Sequence, residues 1–137
     1  MSHIAGLSLY AQNAILTAIG GAAFSTGTLY LGLDTTEAGS DDTGGVEVSN
    51  SGTGYVRQAI PLAAYSNGSR TTNADILFPV ATASYGTVVA FRIWDSGSYG
   101  AGNCIARGTL TSKLIDVSDR FETLAGNLTI TFSRTVT

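Results

Sequence analysis

The spacing of apolar residues changes once along this chain, and the change limits what it can fold into. From Leu7 to Ile19 they recur at three and four residues: Leu7, Tyr10, Ala11, Ala14, Ile15, Ala18 and Ile19. That spacing marks one face of a helix. Ser8 is the N-cap candidate, its hydroxyl accepting from a free N–H of the first turn. Gly20-Gly21 supplies the stop, because glycine tolerates the left-handed conformation there. The predicted helix covers 8–20. A helix of about twelve residues is marginal alone, so its apolar stripe must pack on the rest of the domain or on a partner.

After Gly21 the period is two. Leu29-Tyr30-Leu31-Gly32-Leu33 points three leucines to one face. Tyr55–Ile60, ended by Pro61, and Asp75–Phe78, ended by Pro79, are strand candidates. Thr87–Trp94 is the strongest, with Val88, Val89, Phe91, Ile93 and Trp94 all β-favouring. Cys104–Leu110 follows. Arg120–Leu124 and 128–132 read as a hairpin around Ala125-Gly126-Asn127. In that last strand Leu128, Ile130 and Phe132 alternate with polar residues, one face buried and one wet. Seven or eight short strands separated by turn signals indicate an antiparallel sandwich or barrel. Residues 34–54 read as a long polar loop without structure of its own, a length that is uncommon in a compact domain. Residues 95–103 form a shorter Gly-rich loop. No internal repeat is evident.

The 137 residues fit one domain, 1–137. Charged side chains make up 12%, about half the usual share of roughly 25%. The net charge is −3, and the first basic residue is Arg57. Phosphate binding needs clustered positive charge, so neither nucleic acid nor an anionic membrane is an expected partner. The apolar N-terminal stretch has no basic residue before it, so no export signal is expected. No run reaches the 18 or so apolar residues of a membrane span. A single cysteine, Cys104, cannot form an internal disulfide; it reads as a buried strand residue in a reducing compartment.

No constellation carries a reaction. His3 is the only histidine and sits at the chain's start, where a triad cannot hold it rigid. Without a Cys/His cluster there is no structural zinc site. Asp34, Glu37, Asp41, Asp42 and Glu47 gather in the long loop but lack calcium-loop spacing, and read as a solvated acidic segment. Asp95, Asp116, Asp119 and Glu122 offer no selected pair for glycoside hydrolysis. Gly52-Thr53-Gly54 precedes a strand instead of opening a helix, so no nucleotide fingerprint is formed. Asn67-Gly68 reads as a turn. Tyr10, Tyr30, Tyr55, Tyr65, Tyr85 and Tyr99 read mainly as core and turn packing; any exposed ones suit sugar stacking or an interface. No catalytic, cofactor-binding or metal-binding residue is assigned.

The order of segments nevertheless has a likeness. Leu29–Thr36, Gly54-Tyr55-Val56-Arg57-Gln58-Ala59-Ile60, Asn73–Ala83 (containing Phe78-Pro79-Val80-Ala81-Thr82-Ala83), Phe91–Asp95 and Ala125-Gly126-Asn127-Leu128-Thr129-Ile130 follow the amphipathic helix in turn. Over roughly residues 7–132 the chain resembles a family of small tailed-bacteriophage virion proteins, variously labelled head decoration or tail fibre proteins. The segment around 37–53 is longer and more acidic than in that family.

The resemblance implies a jelly-roll-like β-sandwich with one short N-terminal helix, no catalytic residues and no cofactor. It implies a place on the virion exterior after assembly in the bacterial cytoplasm. The leading expectation is a capsid decoration (cement) protein that binds the assembled major capsid protein shell, as a homo-oligomer with a dimer favoured and a trimer possible. The alternative is a tail fibre module recognising host glycan through Tyr65, Tyr99 and the Gly-rich loops. The contact segments for cement would be the N-terminal helix, the 34–54 loop and Arg134–Thr137. Deleting 38–50 is then expected to spare folding.

Overall fold

The computed structural model describes residues 6–131; His3, Phe132 and the Arg134–Thr137 tail lie outside them. Ten strands and one helix appear in the order β1 (Gly6–Leu7), α1 (Leu9–Ile19), β2 (Tyr30–Thr36), β3 (Val46–Glu47), β4 (Gln58–Ala59), β5 (Ser69–Thr71), β6 (Ile76–Leu77), β7 (Gly86–Trp94), β8 (Cys104–Ile115), β9 (Glu122–Thr123) and β10 (Thr129–Thr131). The protein is mainly β, antiparallel, with one helix. A six-stranded sheet runs β1-β8-β7-β2-β3, with β4 also paired to β2. Two ribbons, β5/β10 and β6/β9, complete the pairing.

β7 and β8 form the spine, as the β-branched and aromatic run 87–94 predicts. β8 continues to Ile115, five residues past the expected end. A register shift between Val88 and Ala90 sets three residues of β8, Leu110–Ser112, against Val89 alone, a bulge that bends the strand. On β2, Leu31 and Leu33 face the core, while the alternate positions Gly32 and Asp34 face the other way. One apolar cluster joins these leucines to Val48, Tyr55, Ile60, Ile76, Phe78, Tyr85, Val88 and Ile93, with Leu128 and Ile130 of the β10 ribbon packed against it. Tyr55 lies at its centre, stacked on Phe78 (5.9 Å) and edge-on to Tyr85 (5.7 Å).

Local signals held well for caps and turns. The Ser8 side chain accepts from the Ala11 N–H at 3.1 Å, and its own hydroxyl donates to the Cys104 carbonyl. Gly21, with φ of 107°, takes the left-handed step after the helix. Asn67 (φ 50°) and Gly68 (φ 75°) form the tight turn between the reciprocal bonds of Ser66 and Ser69. Two successive positive φ values are what a two-residue hairpin turn of this hand requires.

Long-range pairings were less legible. The expected hairpin of 120–124 with 128–132 does not form. The chain turns at 125–127, where the Asn127 N–H reaches Leu124 O (3.1 Å), but β9 then pairs with β6 and β10 with β5. A turn fixes a reversal, not the partner, and here apolar burial selected two different partners. The strand expected at 55–60 shrinks to Gln58–Ala59, and that at 75–78 to Ile76–Leu77.

The helix also differs from expectation. Only Ala11 is buried; Ala14, Ile15 and Ala18 are half-covered, while Tyr10 and Ile19, expected inward, are exposed.

Candidate functional site

The 34–54 segment is the largest departure from the sequence reading. It is ordered and pinned. β2 runs through Thr36, β3 returns along it, and the Gly39 N–H closes a turn on Thr43 O at 2.8 Å. Ala38, Val48 and Thr53 are buried. Its carboxylates are not solvated as a group: Asp34, Asp42 and Glu47 each meet an arginine from a distant part of the chain.

Glu47 takes the Arg57 guanidinium as a fork. Arg57 Nε lies 2.8 Å from Glu47 Oε1 and Nη2 lies 2.8 Å from Oε2. Both side chains are nearly inaccessible, at 1% and 8% exposure. Arg57 Nη1 donates onward to Ser96 O (2.9 Å) and Ala101 O (2.8 Å), which holds the Gly-rich loop 95–103. Tyr55 Oη donates to the same Glu47 Oε1 at 2.8 Å and accepts from the Leu33 N–H at 2.9 Å. That hydroxyl therefore closes the gap on the edge of β2 between β3 and β4. Burial, then the Glu47 charge, pushes its pKa far above the ordinary tyrosine value.

Asp34 faces Arg92 across β2 and β7. Arg92 Nη2 donates to Asp34 Oδ1 at 2.9 Å, and Nε lies 2.6 Å from Oδ2. Burial pushes the Asp34 carboxyl up to about 6, against the opposing pull of Arg92. Arg107, the Cα partner of Arg92 in the ladder, reaches the loop itself. Its Nε lies 2.8 Å from Asp42 Oδ1, while Nη1 and Nη2 donate to Ala38 O and Gly39 O, each at 2.5 Å. The Trp94 indole is sandwiched between Arg57 (4.1 Å) and Arg92 (4.6 Å), a double cation–π stack.

Each arginine is thus held by a carboxylate, and Arg57 and Arg107 also donate to main-chain carbonyls. The arrangement fastens two loops over the face of the sheet opposite the apolar cluster. It presents no cationic cleft for an anion.

Sequence reasoning missed this because no spacing rule links Asp42 to Arg107. The rule that buried Arg, Asp and Glu side chains are almost always paired applies only once their burial is known, so no local signal could have found the pairs.

The remaining candidates are structural in geometry. Asp95 accepts from the Asn103 N–H (2.6 Å) and from Asn103 Nδ2 (3.0 Å), closing the 95–103 loop. Asp116 Oδ1 accepts from Val117 N, and Asp119 Oδ2 from Asp116 N, which shapes the 116–119 turn. Asp75 Oδ1 accepts from Ala125 N at 2.8 Å. Burial pushes the Cys104 thiol up to about 11, leaving little thiolate at neutral pH. Tyr99 packs edge-on to Tyr55 at 6.3 Å; Tyr65 stands 82% exposed beside the 66–69 turn. Among the described residues no His, Cys, Asp or Glu group is placed to hold a metal ion, and no helix is long and apolar enough to cross a membrane. An open, mainly apolar pocket of about 390 Å³ lies between the sheet and β10, lined in part by Leu7, Phe91, Ile93, Leu128 and Ile130.

The segments that carry the likeness noted in the sequence are those that build this scaffold. Tyr55 and Arg57 supply the edge plug and the clamp. Phe78 packs on Tyr55 and Phe121, Pro79 O accepts from Tyr85 Oη (2.9 Å), and Thr82 Oγ1 donates to Gly52 O (2.8 Å).

Comparison with protein families gives the class: a bacteriophage virion protein with a structural role. The matching family is described as "Podophage GP4 fiber I protein gp80" and covers residues 6–131, and the chain belongs to it. No curated protein matches it at a significant level.

Proposed function

We propose that this protein is a non-enzymatic structural subunit of a fibre appendage on the virion of a tailed phage. The observation that carries the reading is the extent of the family match. It spans 6–131, so the family's fibre description supports the reading over the whole described fold. The geometry supports a scaffold role. Three carboxylates of the 34–47 segment, Asp34, Asp42 and Glu47, pair with buried arginines of distant parts of the chain, and no paired group is left open to a substrate there.

The alternative reading is capsid decoration, in which the major capsid protein would be the partner. Imaging intact virions with gold-labelled antibody separates them. Label confined to the tail or its fibres supports the proposal, and a glycan array then asks whether exposed Tyr65 contributes to receptor binding. Label spread evenly over the head overturns it in favour of decoration.

A further inference from the structure

Of the six asparagines, only Asn67 is followed by glycine. The main-chain nitrogen after an asparagine is a nucleophile toward the side-chain amide carbon, and a glycine there puts no side chain in its path. Asn67 and Gly68 are both exposed. Among the described residues no hydrogen bond holds the Asn67 carboxamide or the Gly68 N–H. The fold nevertheless withholds the reaction. Asn67 stands at φ 50° and Gly68 at φ 75°, in a turn closed by the Ser66 N–H on Ser69 O (2.8 Å) and the Ser69 N–H on Ser66 O (3.0 Å). In this left-handed region ψ is about +47°. The Gly68 nitrogen then points nearly opposite to the Asn67 Cβ about the Cα–C bond, whereas ring closure needs both on one side. Turning that bond with the hairpin still closed would give about φ +60°, ψ −120°, the first central position of a type II′ turn, which glycine takes and a larger residue does not readily enter. Ring closure therefore waits for the turn to open.

We propose that Asn67 is a site of spontaneous deamidation gated by the β5/β10 ribbon. The closed turn keeps the Gly68 nitrogen from the side chain, and opening of the ribbon releases it. In the open turn that nitrogen gives its proton to solvent base and bonds to Asn67 Cγ, and the side-chain amide leaves as ammonia. Water then opens the five-membered imide at either carbonyl, leaving aspartate or isoaspartate at position 67. The ribbon suits the role of a gate. Its strands have three residues each, and a two-stranded pair is marginal by itself. It is held to the body by Leu128 and Ile130, and across its strands by the hydroxyl pairs Ser69–Thr131 (2.8 Å) and Thr71–Thr129 (3.0 Å). Isoaspartate lengthens the main chain by a carbon atom, so the turn cannot remake both Ser66–Ser69 bonds. The change is one-way, and it leaves a carboxylate close in sequence to Tyr65, which is 82% exposed.

Peptide mapping by mass spectrometry of the full chain, kept at mildly alkaline pH with and without urea, tests this. The unfolded chain should accumulate both isoaspartate and aspartate at position 67. The folded chain should do so at least about tenfold more slowly, since its reaction is limited by local opening. Ile130→Ala, which loosens the ribbon's hold on the core, should speed the reaction of the folded chain severalfold while its melt stays cooperative. If that variant fails to fold, Thr71→Val gives the same reading by removing the hydroxyl bonds to Leu128 O (3.1 Å) and Thr129 Oγ1. Equal rates with and without urea overturn the proposal, as does an Asn67 that stays intact in urea. A folded-state rate that neither ribbon variant raises overturns it too. So does aspartate without isoaspartate in the unfolded chain, which would mean attack by water and not by the Gly68 nitrogen.

Discussion

Arg107 Nε lies 2.8 Å from Asp42 Oδ1, and the other oxygen of the same carboxylate accepts from the Leu9 N–H at 2.7 Å. One side chain from the 37–47 segment therefore joins the central sheet to the first turn of α1. Substituting Asp42 by alanine strands a guanidinium that is 5% exposed and frees a helix N-terminal donor. Removing one partner of a buried pair costs about 3–5 kcal/mol; Asp42 is 19% exposed, so about 2–3 kcal/mol is expected. Urea unfolding of Asp42→Ala against the parent measures it. A change under about 0.5 kcal/mol, the range of ordinary surface substitutions, would show that the clamp contributes little.

Deleting residues 38–50 is expected to unfold the protein, the reverse of what a free loop would permit. The deletion removes Glu47, Asp42 and the fully buried Val48 together. Circular dichroism of the deleted chain checks this, and a cooperative melt near the parent's would contradict it.

Asp34 gives the stability a definite pH slope. Its folded pKa of about 6 lies above the ordinary value of 3.8, so between those values the folded state holds more protons than the unfolded one. Stability from this group is fully present below about 4 and is lost as pH rises through about 6. The size is on the order of 3 kcal/mol at about 1.36 kcal/mol per pH unit. Carboxyl-carbon NMR should show Asp34 titrating near 6. A midpoint under 4 would mean that the Arg92 attraction outweighs burial.

Gly32 lies beneath the indole. A Cβ there would stand 2.9 Å from Trp94 Nε1 and 3.0 Å from Glu47 Oε1. Gly32→Ala should push Trp94 out from between Arg57 and Arg92 and destabilise the fold by about 1–3 kcal/mol, the usual range for overpacking. Trp94 is the only tryptophan, so its emission reports the displacement directly. An unshifted spectrum with parental stability would show that the stack yields without strain.

Cys104, with its thiol raised to about 11 by burial, should react with a disulfide reagent at pH 8 far more slowly than free cysteine. The rate should recover in urea. Equal rates with and without urea would place the thiol outside the core.

The Ser8 cap, the Gly21 stop, the Asn67-Gly68 turn and the 86–94 strand were determined by the sequence alone. Each rests on the preference of one or a few neighbouring residues, written into the local order of side chains. The antiparallel β class with a single helix follows from the same signals, because a period of two and a high frequency of turns leave few other layers to build. The strand partners of β9 and β10, the clamping of 34–54 and the exposed side of α1 were decided only in three dimensions. Asp42 and Arg107 carry no mark of one another in the chain; their pairing exists because folding takes both out of water and leaves each as the other's means of compensation. Leu9, Leu16 and Ile19 likewise read as part of an apolar helix until the tertiary structure shows which side the sheet has covered and which it has left open.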